Sequence, residues 1–75
     1  MMDRIVELRR VYALTKHRIP NKLKFSPLEA AKFCEWLNSL GENDPFLGFS
    51  PFGKQIFGMT IEESHDVEGI VVCHE

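Results

Sequence analysis

Cysteine is scarce in this chain: Cys34 and Cys73 are the only two in 75 residues. At most one intramolecular bridge could form, which excludes a disulfide framework as the source of stability. Long apolar runs are missing too. None exceeds four residues, whereas a membrane-spanning helix needs ~20. The opening residues, Met-Met-Asp-Arg-Ile-Val-Glu, place charges where a secretory signal would carry its apolar stretch. The expected location is cytoplasmic, where both cysteines stay free thiols that pack as small hydrophobes. Also absent are a glycine-rich phosphate loop, a nucleophile elbow, a Cys-x-x-Cys pair and two histidines at i, i+4. Glu62, Glu63, His65, Asp66, Glu68, Cys73, His74 and Glu75 carry metal-competent atoms, but their spacing matches no zinc or calcium pattern. A cysteine nucleophile would need a base and an orienting group beside it, and the histidines are scattered. No catalytic residue, metal ligand or cofactor is therefore assigned, and an enzyme is not expected.

Charge of one sign is missing from each half. Residues 8–28 contain no acid, and after Lys32 the sole base is Lys54. Eight bases against three acids give residues 1–32 a charge of +5, and one base against eight acids gives residues 33–75 a charge of −7. Such asymmetry can mark an interaction surface that the net charge of −2 conceals.

What is present reads as one small domain. A chain this short cannot divide and leave each part a core, so residues 1–75 are expected to fold together. Burial is near the workable minimum at this length, so large side chains such as Trp36, Tyr12 and the Phe residues must contribute much of it, and a homodimer would add more. The strongest local signal is Ser26-Pro27-Leu28-Glu29: an N-cap hydroxyl, a proline where no N–H is needed, and a negative charge in the first turn. A helix over residues 27–40 follows, closed by Gly41. Its apolar side carries Ala30, Phe33, Cys34, Trp36, Leu37 and Leu40.

Residues 55–61 and 68–74 are rich in Ile, Val, Phe and Thr and read as a hairpin joined by a polar loop. Between helix and hairpin, two turn signals bracket a short extended piece from Phe46 to Phe49. Residues 4–15 read almost equally as strand or helix. As a helix, Ile5, Leu8, Val11 and Tyr12 share one arc, with Val6, Ala13 and Leu14 outside it. A third strand would cover a hairpin that is weak alone, which tips the reading to strand. The expectation is an α+β fold: one central helix packed on a small antiparallel sheet of about three strands.

Two features suggest binding. Arg9, Arg10, Lys16, Arg18, Lys22 and Lys24 form a basic run that could meet phosphates or an acidic protein patch. Four Phe and three Gly crowd residues 46–59. Aromatics beside Gly and Lys can stack bases, but the spacing is not that of an RNA-binding sheet, so core filling is the simpler reading. If exposed, Phe49 and Phe52 would suit anchors at a protein interface. The expected function is that of a small stand-alone interaction protein, an adaptor, regulator or inhibitor that binds a protein partner and no membrane. The alternative is a nucleic-acid-binding protein that uses residues 9–24.

Overall fold

The computed structural model describes residues 1–75. In chain order it contains helix α1 (Met2–Lys16), strand β1 (Lys22–Phe25), helix α2 (Pro27–Ser39), a 3₁₀ turn (Gly41–Asn43), and strands β2 (Gln55–Ile56), β3 (Met59–Glu63) and β4 (Ile70–Cys73). The four strands form one mixed sheet in the order β2-β3-β1-β4. The α+β class agrees with the sequence reading. The details differ: there are two helices, not one, and four strands of mixed direction, not three antiparallel ones.

The sequence leaned to a strand near the N-terminus, and the structure has α1 there. A helix gathers Ile5, Leu8 and Tyr12 on one side, where Ile5 is completely buried and the other two pack on the core. Glu7 and Arg10, one turn apart, bond at 2.6 Å on the solvent side, and Lys16 stands in the last turn, where positive charge suits the helix dipole. The missing strand is β1, from the segment that reads as a basic run. Lys-Leu-Lys-Phe alternates with a period of two, so Leu23 and Phe25 go fully into the core while Lys22 and Lys24 face the other way.

β1 also separates the two strands expected to pair. It runs parallel to β3 and antiparallel to β4, so residues 55–61 and 68–74 never touch as a hairpin. Parallel neighbours need a long crossover, and α2 with the loop after it supplies one between β1 and β3. The expected single strand over residues 55–61 breaks at Phe57 and Gly58, whose φ values of 51° and 80° are both positive. Two such residues make the tight turn that suits a two-residue hairpin, so β2 folds back on β3 with Ile56 opposite Met59.

α2 follows its sequence signals closely. The Ser26 hydroxyl accepts from the Glu29 N–H, Pro27 opens the helix, and Gly41 takes a φ of 58° just past its end. Ala30, Phe33 and Leu37 are buried, while Trp36 and Leu40 are partly so. Phe33 stacks on Phe25 with ring centroids 4.6 Å apart, tying the helix to the central strand. The piece from Phe46 to Phe49 is turned, not extended. The Asp44 carboxylate accepts from the N–H groups of Phe46 at 2.8 Å and Gly48 at 3.1 Å, and this coils the chain while Phe46 drops into the core.

One sheet face is therefore covered by both helices, through Leu23, Phe25, Met59, Ile61, Ile70 and Val72. The other face is open. It carries Lys22, Lys24, Thr60, Glu62, Val71 and Cys73, the alternate residues of the same strands.

Candidate functional site

The six bases of the run do not share a surface. Lys22 and Lys24 are turned to the open sheet face, where they bond to Glu62 at 2.7 Å and Glu75 at 3.1 Å. The hydrogen bond from Lys22 holds the Glu62 carboxyl below its ordinary range, and the same contact raises Lys22. Lys24 is raised in the same way by Glu75. Here part of the charge asymmetry of the two halves is met within the molecule.

Arg9 and Arg10 lie on α1, Lys16 is in its last turn, and Arg18 follows its left-handed cap at His17. Arg10 is paired with Glu7. Arg9 is half-buried and donates from Nε to the Phe57 carbonyl at 3.2 Å, joining the helix to the tip of the β2–β3 turn. That contact organises a hollow of about 580 Å³ lined by Val6, Arg9, Arg10, Ala13, Leu14 and Phe57. Its floor is apolar and exposed: Leu14 is 65% accessible, and Val6 and Phe57 nearly half so. A short helix in a small domain ordinarily turns such residues inward.

The two aromatics picked from sequence are placed differently from each other. Phe49 is exposed at the tip of the coiled loop beside Leu47, with the Lys54 ammonium 5.9 Å from its ring centre. Phe52 packs against the core. Neither reaches the α1 hollow. Phe49 instead lines a smaller depression of about 220 Å³ with Cys34, Leu37 and Asp44, whose carboxylate is already engaged by backbone N–H groups.

Val6, Leu14 and Phe57 were not among the sequence candidates. The signal was nevertheless there for two of them, because Val6 and Leu14 fall outside the apolar arc of a helical residues 4–15. Phe57 carried no such mark, since a strand through residues 55–61 would bury it.

A second apolar hollow, of about 300 Å³, lies on the far side of α1. Leu8, Val11, Tyr12, Thr15 and Lys16 line it against Ile70, Val71 and Val72 of β4. No three His, Cys, Asp or Glu side chains gather closely enough to hold a metal ion. Cys73 is partly buried, which pushes its thiol up. The His74 ring places Nδ1 3.0 Å from the Ile19 carbonyl, a position that suits an Nδ1–H donor. No helix is long and apolar enough to cross a membrane. Comparison with protein families, curated proteins and solved structures gives no match to this chain.

Proposed function

We propose that this protein acts by occupying the surface of a protein partner, as a small adaptor, regulator or inhibitor, and that the outer face of α1 makes the contact. The observation that carries this reading is the hollow of Val6, Ala13, Leu14 and Phe57, an apolar floor rimmed by Arg9 and Arg10. Exposed apolar side chains grouped in this way cost nothing when a partner covers them, whereas scattered ones need no explanation. Rigid aromatic and guanidinium groups at the centre of a patch are the types that dominate binding energy. With Arg9 and Arg10 beside the apolar residues, the fitting partner is an amphipathic protein segment with acidic residues flanking its apolar ones. The reading includes no reaction.

The nucleic-acid alternative has less support. A backbone would have to follow Arg9, Arg10, Lys16, Arg18, Lys22 and Lys24 together, yet the last two lie across the sheet and are paired with acids.

A tagged full chain tests both. Wild-type protein and a Leu28→Asp control, altered at an exposed position on α2, should retain one stoichiometric protein that Leu14→Asp loses. Recovery by Leu14→Asp at the wild-type level would sink the proposal. Labelled DNA and RNA titrated at two salt concentrations should show no salt-steep binding; if they do, the alternative takes its place.

A further inference from the structure

The two edges of the sheet are built differently. β2 is only two residues long, and the carbonyl at its turn is taken by Arg9. Short length is a common way to blunt an edge. β4 is longer, Ile70-Val71-Val72-Cys73, and carries no lysine, proline or bulge. An open apolar groove against α1 runs beside it.

The hydrogen-bond phase of this edge is fixed. The Ser26 N–H donates to the Gly69 carbonyl at 2.9 Å, and Ser26 and Gly69 continue the β1–β4 register. Antiparallel alternation then turns the N–H and C=O of Val71 and Cys73 toward β1, and those of Ile70 and Val72 outward. Two outward residues separated by one inward residue are self-complementary. A two-fold axis at Val71 would bring Ile70 opposite Val72 of a second copy, and Val72 opposite its Ile70. All four outward groups of each strand would then be bonded.

We propose that two copies of this chain join antiparallel along β4 in this register, making one sheet continuous through both. Side-chain chemistry agrees with the pairing. Val71 meets Val71 of the second copy on the open face, so each covers apolar surface that a monomer leaves to water. Val11, about half exposed beside the groove, gains cover from the approaching copy. Such an interface is isologous and closes at two, so it does not lead to fibres. It shares no residue with the outer α1 hollow and does not depend on the partner proposed there.

Sedimentation of the full chain over a wide concentration range should show a monomer–dimer equilibrium. V71K puts two like charges opposite each other at the axis and should raise the dimer dissociation constant about tenfold or more, with an unchanged circular dichroism spectrum. Residues at position 71 of the two copies form a non-hydrogen-bonded pair with Cα atoms about 4.5 Å apart, within disulfide reach. V71C in a C34S, C73S background should therefore cross-link under mild oxidation. C34S alone should not, because the two Cys73 residues lie about 13 Å apart in this register. L14D should dimerise like wild type. A chain that stays monomeric at all concentrations, a V71K protein that dimerises unchanged, or cross-linking through Cys73 in place of V71C would each overturn the proposal.

Discussion

The two helices are nearly equal in length, 15 residues in α1 and 13 in α2, yet they use their apolar residues in opposite ways. α2 is capped by a side chain, opened by proline, and buries Ala30, Phe33 and Leu37 against the central strand. α1 has no side-chain cap, fully buries only Ile5, and leaves Val6, Val11 and Leu14 exposed. Helices in small domains draw most of their stability from packing of one face. α2 therefore belongs to the cooperative core, whereas α1 leaves Val6, Val11 and Leu14 uncovered.

The comparison breaks most simply at Phe33. Phe33→Ala removes a fully buried ring that stacks on Phe25 and should destabilise the fold by about 3–5 kcal/mol, measured by chemical denaturation. In a domain this small that is enough to unfold much of the population. A loss below about 1 kcal/mol would mean that α2 is not the anchor. Next in size is the α2 cap. Ser26→Ala removes the acceptor for the Glu29 N–H and should cost about 1 kcal/mol. No equivalent change exists at the start of α1, where Met1 supplies no side-chain bond.

That contrast also governs what could be read from the residues alone. Ser26, Pro27 and Gly41 act locally, through a hydroxyl, a missing N–H and a positive φ, so α2 was legible almost to the residue. β1 was not, although its Lys-Leu-Lys-Phe alternation is plain in retrospect. Six bases in sixteen residues drew the reading to charge, and four residues are too few for periodicity to prevail over it. Its insertion between β3 and β4 is a long-range choice that no local signal encodes. The turn at Phe57 and Gly58 was hidden because Phe lacks glycine's freedom at positive φ, and the surrounding strands impose it. For the site, Arg9 and Arg10 were visible as charge, whereas the apolar floor between them required the decision between helix and strand.

Acid should separate the helices further. The Arg10 hydrogen bond holds the Glu7 carboxyl below its ordinary range. A depressed carboxyl contributes stability that is fully present above the ordinary glutamate value of about 4.3 and is lost as pH falls through the lower folded value. Protection of the α1 amides relative to their intrinsic exchange rates should therefore fall in that acid window, and Glu7→Gln should remove the dependence. Salt should weaken the effect, since both partners are exposed. Equal loosening of α2 in wild type and Glu7→Gln would show that the acid response belongs to the fold as a whole.

The smallest effect on stability is the most informative about α1. Leu14 is 65% accessible and contributes little to the core, so Leu14→Ser should change the unfolding free energy by no more than about 0.5 kcal/mol. A residue that does little for folding but lines an apolar hollow has a different role if its loss is felt in binding. The same substitution should therefore weaken partner capture while the denaturation midpoint stays in place. Should Leu14→Ser instead destabilise the chain as strongly as a core deletion, α1 would be packed more like α2 than its exposed face indicates. The division of labour between the helices would then fail at the residue on which it most depends.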